Sequence, residues 1–282
     1  MKKALAKIHQ QLDALYPSGE LRELIRWIME EVAGMPPYRL LLLDDVLTDK
    51  QRLQIEVIVD RLAKKEPIQY ILGETTFCGL PFHVSRDVLI PRPETEQLVR
   101  LIVNDFSSCP SPRILDIGTG SGCIAISLAS LLPASCVTAL DISSSALRVA
   151  ADNATLNHVS VSWTCVDIFS SEAESCLEQY DCIVSNPPYI MEHEQLEMDA
   201  SVLDYEPHKA LFVPDTDPLL FYRRIVQLAK SHLMADGWLY FEINEQCGDA
   251  MLELLDSGGF SQTTIIKDYF GKDRMLKAQL VL

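Results

Sequence analysis

Positive charge is scarce beside negative charge in this sequence. Its 40 Asp and Glu outnumber its 24 Lys and Arg, leaving a formal net charge of −16. A surface that acidic excludes wrapping nucleic acid by bulk electrostatics, and a local basic strip would work against the field around it. Paired cysteines are missing too: the 8 cysteines are scattered singly, with no Cys-x-x-Cys among them. That speaks against a metal site, and cysteines inside apolar runs read as small core residues. No uninterrupted apolar run reaches the length that spans a bilayer, and residues 1–10 carry charges but no apolar stretch of a secretory signal. Neither an internal repeat nor a low-complexity tract is visible. Together these absences describe a soluble, reduced, cytoplasmic protein that engages no membrane and no nucleic acid directly, with a monomer as the expected state.

What the chain does have is apolar content. At 48% hydrophobic, its 282 residues can bury a sizeable core in one large domain or two ordinary ones. Residues up to about Pro67 read as helices. Apolar positions recur at helical spacing in Leu5, Ile8, Leu12 and Leu15, then in Leu21, Leu24, Ile25, Ile28 and Val32, with Gly34 and Pro36-Pro37 ending the second run. A third helix is predicted over residues 50–65, capped by Thr48 or Asp49, with Leu53, Val57, Ile58 and Leu62 on its inner face. Trp27 and Tyr38 read as core of this bundle. Residues 75–84 read as a hairpin turning at Gly79, and Pro93 as the first residue of a helix. From Arg113 onward strand and helix alternate, closing on strands over residues 263–267 and 275–282. The pattern predicts an α/β, doubly wound, mostly parallel sheet with an antiparallel edge and ligands at the carboxyl ends of its strands.

One stretch names a chemistry. Residues 180–185 form a short apolar, β-branched run suited to a buried parallel strand, and Asn186-Pro187-Pro188-Tyr189 follows it directly. The prolines forbid helix and remove two backbone donors, leaving carbonyls without local partners. The Asn186 side chain adds another carbonyl. Asn186 and the Pro187 region can therefore accept both hydrogens of a planar NH₂ group, with Tyr189 lying against it. Such a group belongs to a substrate amide or an exocyclic amine whose nitrogen attacks an electrophile.

Upstream, Gly118-Thr119-Gly120-Ser121-Gly122 runs from a strand into a helix. Its glycines permit positive φ and close approach of a ligand, and the following helix N-terminus attracts negative charge. Cys123 stands where a dinucleotide fingerprint wants Gly or Ala, and no Gly-Lys-Ser/Thr follows to make a phosphate loop. The compact Gly-x-Gly-x-Gly spacing is the form usual for S-adenosylmethionine. Asp141 ends the second strand about 20 residues beyond the last glycine, placed to accept ribose hydroxyls, while Ser143 can cap the next helix. Asp167 ends the third strand, placed to accept from an adenine amino group, and Ile168 would offer the ring an apolar face. Arg92, rigid between two prolines, is a candidate to orient a substrate carboxylate. Glu94 and Glu96 read as helix N-terminal carboxylates rather than catalytic ones. The histidines lack ligand spacing. The acidic run 191–199 reads either as a solvated helix face or as a loop that meets a basic protein.

These residues resemble the release-factor glutamine methyltransferases, also called the HemK or PrmC family, from about Glu66 to the end. The shared marks are Glu66-Pro67-Ile68-Gln69-Tyr70-Ile71-Leu72-Gly73, Leu89-Ile90-Pro91-Arg92-Pro93-Glu94-Thr95-Glu96, the glycine loop, Asn186-Pro187-Pro188-Tyr189, Tyr205-Glu206-Pro207 with Ala210-Leu211, and Lys267-Asp268-Tyr269-Phe270-Gly271-Lys272-Asp273-Arg274. The resemblance implies a Rossmann-like class I S-adenosylmethionine methyltransferase domain over residues 92–282, with a seven-stranded sheet. A helical domain over residues 1–73, helping to hold a protein substrate, and a hairpin linker over 74–91 would precede it. It further implies methylation of the glutamine side-chain amide nitrogen in the Gly-Gly-Gln loop of peptide-chain release factors. Some members carry an aromatic residue where this chain has Ile168. Other readings stay open: an adenine-N6 DNA methyltransferase acting on a flipped base, a glutamine methyltransferase of a ribosomal protein, and a cofactor-sensing protein without turnover.

Overall fold

The computed structural model describes residues 2–34 and 47–280; Pro36, Pro37, Tyr38 and the last two residues of the expected closing strand lie outside them. The chain divides into two compact units, Met1–Gly73 with Asp199–Tyr205, and Glu74–Met198 with Glu206–Leu282. The hairpin thus clusters with the sheet, while a short distant segment joins the helices.

The first unit holds α1 (Lys2–Leu12), α2 (Ser18–Ala33), α3 (Asp49–Leu62), α4 (Ile68–Leu72) and, from the distant segment, α9 (Ala200–Tyr205). Helix α2 ends at Gly34, whose N–H donates to the Glu30 carbonyl. Thr48 caps α3 reciprocally with Gln51, each side chain accepting from the other's backbone N–H. The inner face of α3 differs from the expected one. Ile55, Ile58, Val59 and Leu62 are buried, while Leu53 is 62% and Val57 53% exposed. The buried set follows i, i+3, i+4, i+7, and a position two residues away lies roughly 200° round the helix. Trp27 is only half-buried against this core. Arg61 grips the buried Glu66 through two bonds of 2.7 and 2.8 Å, tying α3 to the segment that opens α4. The Tyr205 hydroxyl of α9 donates to the Lys64 carbonyl.

The second unit begins with hairpin β1 (Glu74–Phe77) and β2 (Leu80–His83), then α5 (Pro93–Phe106). It continues with β3 (Arg113–Ile117), α6 (Cys123–Leu131), β4 (Cys136–Asp141), α7 (Ser144–Leu156), β5 (Ser162–Cys165), α8 (Ser171–Cys176) and β6 (Tyr180–Ser185). Strands β7 (Ile190–Met191) and β8 (Phe212–Val213) pair in parallel as a separate small sheet. Last come α10 (Leu220–His232), β9 (Leu233–Glu242), α11 (Gly248–Ser257), β10 (Phe260–Lys267) and β11 (Asp273–Leu280). The seven-stranded sheet has the order β10-β11-β9-β6-β3-β4-β5, and only the pairings made by β11 are antiparallel. Successive residues feed opposite faces, as strand geometry requires. Ile114, Cys182 and Tyr240 meet α5, α6 and the hairpin, whereas Leu115, Ile183 and Phe241 meet α10 and α11. Among the described residues no helix is long and apolar enough to cross a membrane.

The order of the strands reverses beside β3, which puts the loops after β3 and β6 at the switch point where sheets of this kind bind ligands. One buried side chain holds the first of these loops. Asn153 of α7 accepts from His83 N at 2.6 Å and donates to the carbonyls of His83 and Ser121 at 3.0 and 2.9 Å. It therefore ties the hairpin to the glycine loop. Asn153→Ala leaves the buried Ser121 carbonyl and two partly buried His83 groups unpaired, and the stability read from urea unfolding should fall by about 1–3 kcal/mol. An unchanged midpoint would show that the clamp contributes nothing.

Candidate active site

After β3 the backbone turns through Gly118 (φ 74°), Gly120 (φ 54°) and Gly122 (φ 81°) into α6. At Gly122 the φ of 81° strains any L side chain, and a Cβ would stand 2.8 Å from Ile126 Cδ1 and 3.1 Å from Ala150 Cβ. Around Gly118 and Gly120 nothing lies within 4 Å of such an atom, leaving bare backbone beside open space. The Gly118 and Thr119 amides donate to the Leu140 carbonyl at 2.9 and 3.0 Å, which pins the loop to β4.

Two carboxylates shape this loop. Asp116, buried in β3, accepts from Thr119 Oγ1 at 2.7 Å and Ala125 N at 3.3 Å. Its Oδ1 and the Ser121 hydroxyl, both buried, have no partner among the described residues. Burial pushes the Asp116 carboxyl up to about 7, against the pull of the Thr119 and Ala125 hydrogen bonds. Asp141, at the end of β4, accepts from Gly120 N at 2.9 Å and Ser143 N at 2.8 Å, one bond per oxygen. Each oxygen keeps a further lone pair. Ser143 caps α7 at the same time, accepting from Ala146 N. Asp167 accepts from Phe169 N at 2.9 Å. Ile168 differs from the expectation: its side chain is packed into the core, only 9% exposed. The accessible apolar side chain beside Asp167 is Phe169, 45% exposed and edge-on to Phe221.

After β6 come Asn186 and the buried Pro187, then Pro188 and Tyr189. The amides of Tyr189 and Ile190 both donate to the Leu211 carbonyl, at 3.2 and 2.9 Å. The Tyr189 hydroxyl donates to Glu242 Oε1 at 3.0 Å. Glu242 ends β9 and is 1% exposed. Its Oε2 accepts from Thr95 Oγ1 of α5 at 2.6 Å, and Thr95 Oγ1 accepts from Asn186 Nδ2 at 3.3 Å. Burial raises the Glu242 pKa; the Thr95 and Tyr189 hydroxyls and the charge of Arg274 oppose it. Burial, then the Glu242 charge, pushes the Tyr189 phenol far up, so it remains a donor. Asn186 Oδ1 has no donor among the described residues.

The structure thus brings Asn186, Pro187, Pro188 and Tyr189 together after one strand, and Gly118, Thr119, Gly120, Ser121, Gly122 and Asp141 around the adjacent loop. Arg92 is occupied otherwise. It binds Glu206 Oε1 at 2.6 Å, and the buried Glu206 also accepts from Ile90 N at 3.2 Å. Glu96 accepts from Cys78 N at the hairpin turn, a structural bond. The acidic run is a 3₁₀ turn, Glu192–Glu197, from which Glu194 accepts Met191 N and Asn244 Nδ2. Thr95 and Glu242 were not singled out from sequence. A glutamate inside the apolar run Trp238-Leu239-Tyr240-Phe241-Glu242-Ile243 was the available signal, since a buried strand carries a charge only with partners.

Asp116 makes a testable feature. The folded state holds its pKa at about 7 against an ordinary 3.8, so folding takes up a proton between these values and stability falls as pH rises through the window. Asp116→Asn removes that slope. From pH 4 to 7 the difference in urea stability should therefore move in the variant's favour, by about 1.4 kcal/mol per unit of the shift. Parallel pH profiles for the two proteins would contradict this.

The comparisons with known proteins agree with this geometry. The PrmC N-terminal domain family matches residues 3–73, and the Methyltransferase small domain family matches residues 94–204. The release factor glutamine methyltransferase of Flavobacterium psychrophilum is 46% identical over 272 residues, 95% of either chain. That of Bacteroides thetaiotaomicron is 46% identical over 280 residues, 99% of either chain. A methyltransferase structure from Pyrococcus furiosus, 18% identical, aligns with a TM-score of 0.52 over 83% of this chain and 100% of its own, a likeness of fold alone. On the strength of its relatives' identity and coverage, the chain is a methyltransferase of the class I fold and belongs to the release factor glutamine methyltransferase family.

Proposed function

We propose that the protein transfers the methyl group of S-adenosylmethionine to the side-chain amide nitrogen of the glutamine in a release factor's Gly-Gly-Gln loop, and so acts on translation termination. One observation carries this reading: the Asn186 NH₂ is engaged by Thr95, leaving Oδ1 without a donor among the described residues and able to accept. The glycine loop fits the cofactor, with open space along Gly118 and Gly120 and the unpartnered Asp116 Oδ1 and Ser121 Oγ. Residues 118–122, Asp141, Asp167 and Asn186 would hold it. Bound there, S-adenosylmethionine supplies an electrophilic methyl group on its sulfonium.

The chain's own residues would orient the nitrogen as it takes the methyl from sulfur, which leaves as a thioether, while the proton the nitrogen sheds would pass to solvent. An amide nitrogen is a weak nucleophile because its lone pair is delocalised into the carbonyl. Asn186 Oδ1 and the Pro187 carbonyl accept its two hydrogens and fix its direction, while Tyr189, tied to Glu242, borders the amide plane. Each such neutral bond nets only about 0.5–1.5 kcal/mol of binding. Alignment is worth far more, up to roughly 7–11 kcal/mol of barrier. Turnover should therefore suffer more than affinity when Asn186 is lost.

The test is transfer of labelled methyl to a purified release factor and to the same factor with its Gly-Gly-Gln glutamine changed to alanine. Label should enter the first and not the second. Asn186→Ala should lower kcat by at least ~10²-fold while cofactor affinity stays within a few-fold. Equal labelling of both factors would remove the proposed acceptor.

A further inference from the structure

An asparagine amide has two ends of nearly the same shape and opposite hydrogen-bonding sense. Only Oδ1 can accept from a substrate NH₂; Nδ2 in its place would set donor against donor. Some feature of the site must choose, and it lies behind Asn186. Each Glu242 oxygen meets one hydroxyl, Thr95 at 2.6 Å and Tyr189 at 3.0 Å; ionised, it has no proton to give and accepts from both. Thr95 has one hydroxyl proton, and Glu242 takes it. The Thr95 oxygen then shows Asn186 only lone pairs, so Nδ2 must face it, as it does at 3.3 Å. Thr95 is 2% exposed and Glu242 1%, so water does not offer a substitute partner.

We propose that Thr95 and Glu242 are positioning residues that set the polarity of the Asn186 amide, through donors running one way from Asn186 to Thr95 to Glu242, and thereby select an NH₂ group as the methyl acceptor. The acceptor part rests on the function proposed above; the polarity itself is a property of these three side chains. The direction holds only while Glu242 remains an acceptor. The groups facing it are Thr95 and Glu94 from α5, Tyr189 from the Asn-Pro-Pro-Tyr turn, and Arg274 from β11. A protonated Glu242 can donate to Thr95 and release that constraint. Since burial raises its pKa, turnover loses its acid limb above the ordinary carboxylate range.

Three variants test this in the full chain. Thr95→Val removes the relay while keeping the side chain's shape. Glu242→Gln offers Thr95 an NH₂ donor and so reverses the chain. In both, kcat should fall by about 10²-fold, with KM and cofactor affinity within a few-fold. Thr95→Ser should restore most of what Thr95→Val loses, and Glu242→Gln should flatten the acid limb. The second readout needs no substrate: the Asn186 side-chain ¹⁵N–¹H resonances should show one hydrogen-bonded proton in the unmodified protein and in Thr95→Ser, and lose it in Thr95→Val. Thermal unfolding checks that each variant is folded; should Thr95→Val not fold, Glu242→Gln and Thr95→Ser carry the same comparison. Undiminished kcat in Glu242→Gln, or a Thr95→Ser as poor as Thr95→Val, would overturn the relay. So would Asn186 resonances that ignore Thr95. Should the unmodified protein not methylate a release factor, the functional reading falls, and the resonances still decide the polarity.

Discussion

A carboxylate taken out of water must be surrounded by donors, and the active half of this molecule is organised around one that is. Glu242, at the end of a central strand, accepts from Thr95 of the helix after the hairpin and from Tyr189 of the Asn-Pro-Pro-Tyr turn. Removing either donor leaves part of a buried charge unsatisfied, which costs about 1–3 kcal/mol or more. Three segments distant in sequence are thereby held to one another. The turn gains further support from Leu211, whose carbonyl receives two of its amides, and from Asn244, which donates to the Tyr189 carbonyl at 3.2 Å. A turn with two prolines makes few bonds of its own, so its shape is imposed by these neighbours.

The glycine loop is built on the opposite principle. Its three glycines take positive φ, and at Gly122 a Cβ would also crowd Ile126 and Ala150. Asp116 and Asp141 grip the loop from below through Thr119, Ala125 and Gly120. Asn153 closes the rim by joining it to the hairpin. The loop is thus held on one side through its own backbone geometry and on the other through side-chain bonds. Rigidity of that kind suits a reaction limited by alignment.

Much of this was legible in the sequence because the signals were local. Buried parallel strands read as short apolar runs, so the alternation from Arg113 and the antiparallel closing pair could be placed. The Asn-Pro-Pro-Tyr turn and the glycine loop announce themselves through residues with few permitted conformations. What was missed depends on partners far along the chain. Thr95 and Glu242 are separated by 147 positions, and Arg92 and Glu206 by 114. No spacing rule connects such pairs, so the carboxylate that Arg92 meets in the structure, Glu206, is not legible from its neighbours in sequence. The inner face of α3 went astray for another reason: Leu53 and Val57 are apolar yet exposed, and periodicity alone could not reject them. Asp167 lies two residues past the end of β5, and the Ile168 side chain beside it packs with the core that α10 covers, a contact no local pattern announces.

In the proposed reaction the Asn186 carbonyl end and the Pro187 carbonyl receive the two hydrogens of a glutamine amide. A crystal structure with S-adenosylhomocysteine and a Gly-Gly-Gln peptide measures this directly. The account predicts the glutamine nitrogen within hydrogen-bond distance of Asn186 Oδ1 and the Pro187 oxygen, with Asn186 Nδ2 still on Thr95. A glutamine amide seated elsewhere, or an Asn186 turned to present Nδ2 to it, would contradict the account.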